Sequence, residues 1–193
     1  MDIKTYLTRQ NKNLNGVLHH LAGDISEEEW FSRPGPGQNT VGYTVWHIPR
    51  TQDHFLQMWI RGEAEIVTKD HWSHWANLKA AGIGVGITME QSDEIAQIAT
   101  LADTLAYADE VHQTLLTWLE GINDNTLDFA PDVKERLQAC PEYQTPGYLA
   151  EVTDLFGLPV WGLLIRPCMG HLHRHLGELE ITKDVLRKAK QYS

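Results

Sequence analysis

Residues 169–179 read Met-Gly-His-Leu-His-Arg-His-Leu-Gly-Glu-Leu. His171 and His175 stand four positions apart. On a helix that separation is about 40° of rotation and ~6 Å of rise, so both imidazoles reach one metal ion. His173 is turned by about 200° from each and faces away. The pair falls on the apolar stripe Leu164, Cys168, His171, His175, Leu179 and Leu186. That stripe predicts a helix over residues 158–190 with a bend at Pro167. Two imidazoles buried there need partners. A metal ion supplies one nitrogen of each with a partner; carbonyls or carboxylates are the bland alternative. The segment is not the zinc-protease motif, which places Glu directly after the first His, because Leu172 stands there.

A third ligand has to come from another helix. Asn39 or Thr40 caps a helix predicted over 41–61, with Val41, Val45, Ile48, Phe55 and Trp59 as its apolar members. His47 lies in its middle and is the leading candidate. His54, seven residues on, shares nearly the same face, and His112 lies on the apolar stripe of a later helix. Pro49 predicts a kink or a restart. Residues 3–22 form one amphipathic helix, and Ser26 with Glu29 opens a short turn through a capping box. Residues 62–87 read as a connection holding His71-Trp72-Ser73-His74-Trp75. Thr88 with Gln91 caps a short helix near 89–98, and a long helix follows to about Leu119. Between 123 and 156 only the stretch from Val133 to Leu137 looks helical. The pattern is all-α, a four-helix bundle with short extra helices in the connections, and residues 1–193 are read as one domain.

Composition bounds the partners. The chain has 193 residues, 16 Lys and Arg against 26 Asp and Glu, and a formal charge of −10. Such a chain repels phosphate backbones, and its densest basic run, 183–190, carries only four positive charges, so no nucleic acid is expected. That run reads as a solvated helix end. No stretch reaches the ~18 consecutive apolar residues of a membrane span, and the two cysteines, Cys140 and Cys168, make no disulfide framework. The expected compartment is the cytoplasm. Gly82, Gly84 and Gly86 alternate, but Ile87 follows and no strand precedes, so they are no dinucleotide fingerprint.

Residues 45–54, Val-Trp-His-Ile-Pro-Arg-Thr-Gln-Asp-His, and the segment 169–179 resemble the second and last helices of the DinB-like superfamily. The order and spacing of the helices are similar over nearly the whole chain. The resemblance implies an up-down-down-up bundle, often a homodimer, and a metal held by one histidine of the second helix and a pair from the fourth. His47, His171 and His175 correspond to those ligands. Gly177-Glu178 stands where the family frequently has Gly-Gln, and Pro49 replaces a more ordinary helix former.

Three imidazoles with an open position make a catalytic zinc arrangement, and nickel or iron suits them too. The expected function is therefore a metal-dependent enzyme acting on a small molecule, either a hydrolase or a transferase using a low-molecular-weight thiol, as in characterised relatives. Glu178 shares the face of His171 and His175 and is the candidate base or orienting group. Arg50, three residues after His47, is the candidate fork for a substrate carboxylate. Cys168, three residues before His171, is a weaker candidate ligand. The alternative is a non-catalytic, stress-associated metal-binding or interaction protein with a structural site.

Overall fold

The computed structural model describes residues 2–191, and every regular element among them is helical. The α-helices are α1 (Ile3–Ala22), α2 (Glu27–Trp30), α3 (Val41–His54), α4 (Met89–Ile98), α5 (Leu101–Gly121), α6 (Asn125–Asp128), α7 (Lys134–Gln138), α8 (Pro146–Val152), α9 (Val160–Ile165) and α10 (His171–Gln191). A π-helical turn, Phe55–Arg61, prolongs α3, and another, Arg166–Gly170, joins α9 to α10. Four long rods result. Around the bundle α1 packs on α5, α5 on α3, α3 on α10 and α10 back on α1.

Side-chain contacts give the directions. Lys4 at the start of α1 donates to the Ile122 carbonyl just beyond α5, and Asn15 reaches Asp109, so α1 and α5 are antiparallel. Lys183 and Arg187 of α10 bind Asp24 just after α1, so α10 runs parallel to α1. His47 meets His171 while Gln52 meets the Cys168 carbonyl, so α3 opposes α10. The bundle is up-down-down-up.

Helix α3 is buried on nearly all sides. A helix with no solvated face must satisfy every polar side chain internally, and His47, Arg50, Thr51, Gln52, Asp53 and His54 are all buried there. It runs unbroken through Pro49, with no restart. Packing all round offsets the one backbone hydrogen bond that proline cannot donate. The widening comes later, at Phe55, and ends at Gly62, whose φ of 68° is left-handed. Pro167, where a bend is expected, sits inside the second widened turn. There Gln52 donates to the Cys168 carbonyl at 3.2 Å.

The connections hold more structure than the sequence implies. Residues Asp70–Ala81 form a long 3₁₀ stretch. It carries Trp72 and Trp75 onto Tyr107 of α5, making a second, aromatic core with Tyr43 and Trp46. Pro146, in a stretch where no helix is expected, starts α8, with Thr145 accepting from the Tyr148 N–H. Proline at the first helical position loses nothing, because that N–H has no helical acceptor. The predicted capping boxes at Ser26 and Thr88 both form. Lys183 is not solvated: it is buried against the Leu21 carbonyl and Asp24. Among the described residues, no helix is long and apolar enough to cross a membrane.

Candidate metal centre

His47, His171 and His175 converge. One nitrogen of each lies within 4.8 Å of the other two. His171 Nε2 is 3.0 Å from His47 Nε2 and 3.0 Å from His175 Nε2. The edge of a tetrahedron with metal–nitrogen bonds near 2.0–2.1 Å is about 3.3 Å, so the nitrogens stand close to ligand spacing. The two α10 histidines are partly buried and border the core stripe of Leu172, Leu176 and Leu179, rather than lying within it. Leu164, Cys168 and Leu179 of the expected stripe are core, but Leu172 and Leu176 take the core places expected for His171 and His175, which leaves His171 at the edge of a cavity. His173 is exposed, as its angle requires.

Two rings are held from behind. His47 Nδ1–H donates to the Ile83 carbonyl at 2.5 Å, and His175 Nδ1–H donates to Glu178 at 2.6 Å. Those partners assign the proton to Nδ1 and leave each Nε2 with a lone pair facing the cluster. His47 is also stacked on Tyr43, with ring centroids 5.7 Å apart and planes 8° from parallel. His171 differs. Its Nδ1 lies 3.2 Å from Arg174 Nη2, which can only donate, so the His171 proton sits on Nε2 and is shared with a neighbouring ring.

All three imidazoles are kept neutral. Burial pushes the pKa of His47 far down, and the other two histidines push it further. Burial, with His175 and Arg174 beside it, lowers His171 to about 3. Burial lowers His175, against the pull of Glu178. Neutral rings are what metal ligation needs. A group whose folded pKa is depressed stabilises the fold above its unfolded value and loses that contribution as pH falls. These histidines, with buried His54 depressed in the same way, therefore favour folding above about pH 6.5. Asp53, raised by burial to about 6, runs the other way. With His112 depressed in the same way, five histidines stand against that one carboxylate and set the sign. The urea midpoint of metal-free protein is expected to fall between pH 7 and pH 5. A flat or rising midpoint would contradict the neutral, buried assignment.

A cavity of about 380 Å³ opens beside His171. Phe55, Ile83, Val85, Leu155 and Pro167 supply its apolar walls, Thr51, Glu151, Asp154 and Arg166 line it as well, and Arg174 stands at its histidine end. Concave, largely apolar volumes with a few polar groups are the usual form of small-molecule sites.

Other candidates fall elsewhere. Arg50 is 1% exposed, and its guanidinium binds Glu65 at 2.8 Å and the Tyr143 hydroxyl at 2.6 Å, with Asp53 3.5 Å away. A guanidinium spent on that network is not free to fork a substrate carboxylate, so the role drawn for Arg50 from its spacing is corrected to a structural one. His54 gives Nδ1–H to Glu65 at 2.6 Å, with Tyr148 and Trp59 at its other nitrogen. His112 and the fully buried Cys168 lie outside the three-histidine group, and burial pushes the Cys168 thiol up, against thiolate formation. Glu178 sits behind its ring, at Nδ1, which is an orienting position. Reading the sequence missed Ile83 and Tyr43, because a backbone carbonyl and a stacked ring leave no motif. It missed Arg174 as well, which was visible only as the residue between the ligands.

Against protein families, residues 12–179 match the DinB superfamily. No curated protein matches the chain.

Proposed function

The chain belongs to the DinB superfamily, and from that premise we propose that it is a metal-dependent enzyme using a divalent transition ion held by His47, His171 and His175. The observation that carries this is the convergence of three neutral imidazole nitrogens, two fixed by orienting partners, beside a cavity that His171 lines. The donor set fits the group. Such an ion would act as a Lewis acid that acidifies bound water or holds a thiolate. Zinc, nickel and iron all suit three imidazoles.

The residues divide the work. Ile83 and Glu178 aim two ligands. The apolar part of the cavity wall takes the body of a small substrate, with a low-molecular-weight thiol as the second reactant in the transferase form of the reading. Arg174 replaces Arg50 as the proposed anchor for an anionic group. Once His171 Nε2 is a ligand, its proton must sit on Nδ1, and Arg174 loses that acceptor and is left facing the cavity. A homodimer in the cytoplasm and a single domain complete the proposal. The non-catalytic reading, with a closed structural site, is disfavoured because His112 and Cys168 stand apart from the group.

Metal content decides it. Protein purified without a histidine tag, loaded with zinc, nickel or iron and desalted, is expected to hold one equivalent, and His171→Ala essentially none. If no metal is retained by either protein, the three rings are a core hydrogen-bond cluster and the reading is lost.

A further inference from the structure

We propose that residues 82–86, Gly-Ile-Gly-Val-Gly, are a positioning strap that aims His47 at the metal, with Gly84 and Tyr43 as its working parts. The inference rests on the metal reading above and adds residues that no ligand motif contains. Gly82, Gly84 and Gly86 have φ values of 57°, 89° and 75°. Among the described residues, no non-glycine adopts a positive φ. The alternation that looked like a failed nucleotide motif is thus a backbone requirement. It lets the chain turn at every second residue and presents the Ile83 carbonyl to His47 Nδ1 at 2.5 Å.

Tyr43 locks the strap from the other side. Its hydroxyl donates to the Gly84 carbonyl at 2.7 Å, while its ring stacks on His47. Tyr43 sits four residues before His47 on the buried helix α3, so both contacts come from one rigid element. The fit leaves no room. A Cβ on Gly84 would lie 2.5 Å from the Tyr43 oxygen. Ile83 and Val85 of the same strap also wall the cavity, so one segment shapes the pocket and orients a ligand. Partners of this kind fix the tautomer of a ligating histidine, and their loss typically weakens metal binding by about 10–100-fold.

The test compares Gly84→Ala and Tyr43→Phe with Gly37→Ala. Gly37 has a similar φ of 73° and open space around it, so its variant carries the backbone cost without touching the strap. Zinc affinity by chelator competition, and the visible spectrum of the cobalt-loaded protein, are the metal readouts. Nitrogen chemical shifts of the His47 ring in metal-free protein report the tautomer independently. Gly84→Ala is expected to weaken zinc by about 10–100-fold and to disturb the Nδ1–H form, Tyr43→Phe to do so less, and Gly37→Ala to do neither. Restored affinity in Gly84→Ala/Tyr43→Phe relative to Gly84→Ala would identify the hydroxyl clash as the cause. If wild type binds zinc and folded Gly84→Ala binds as tightly as Gly37→Ala, the strap is only a loop. If wild type binds no metal, the metal reading itself fails. In that case an unchanged His47 tautomer in Gly84→Ala also ends the claim for the strap.

Discussion

Glu65→Ala is expected to destabilise the protein by about 3–5 kcal/mol, the usual cost of stranding one partner of a buried ion pair. Glu65 is 3% exposed and accepts from Arg50, Tyr143 and His54 at 2.8, 2.7 and 2.6 Å. Burial is the largest single influence and would raise its pKa, but Arg50, His54 and Tyr143 together outweigh burial and hold it below the ordinary range. Removing the carboxylate leaves a buried cation and two donors without acceptors. Asp53 cannot substitute. It already accepts the Ile66 and Val67 N–H groups and the Tyr107 hydroxyl, and so ties the 62–69 connection to α3. Glu65→Gln keeps the shape and one acceptor oxygen, and should lose roughly half as much. Replacing both charges, Arg50→Met with Glu65→Leu, should cost less than Glu65→Ala alone, because no buried charge is then uncompensated. Urea unfolding with a constant slope checks all three. A loss under about 1 kcal/mol for Glu65→Ala would mean that water reaches the network and screens it.

That network marks the boundary of what the sequence discloses. The helix rods and the capping boxes follow from periodicity and local chemistry, and they appear where expected, with a π-helical turn at Pro167. The spacing of His171 and His175 is equally local. Arg50, Asp53 and His54 fall at helical spacings of three and four on α3, a pattern that reads as a solvated or substrate-facing stripe. Arg50 and His54 are met there by Glu65, Tyr143 and Tyr148, and Asp53 by the Ile66 and Val67 N–H groups, nearly all from the connections between the rods. Irregular segments carry no period, so nothing in their own residues announces the meeting. The same holds for Ile83, whose carbonyl matters and whose side-chain identity does not. The candidate ligands are written in helices, whereas the carbonyl that orients His47 and part of the pocket wall, Ile83 and Val85, are written in the connection between α3 and α4.

Zinc binding is expected to raise the unfolding temperature of the wild type on the order of 5–10 °C when zinc is at about 100 times its dissociation constant. The argument is linkage. An ion that binds only the folded chain adds about 2.7 kcal/mol at that concentration, and a chain of this length gains roughly 2–4 °C per kcal/mol. The site is well placed to do so, because it joins α3 to α10 across residues separated by more than a hundred positions. His47→Ala should abolish the increment entirely. It should also lower the metal-free stability by about 1–3 kcal/mol, since it empties a buried site and leaves the Ile83 carbonyl without its donor. The two effects are separable: the first needs zinc and the second does not. His173→Ala is the matched control, an exposed histidine of the same segment, and should keep the full zinc increment. Equal zinc shifts in wild type and His47→Ala would place the bound ion away from the cluster. A shift lost in His171→Ala but kept in His47→Ala would reduce the site to the α10 pair, held by one helix and unable to join α3 to α10.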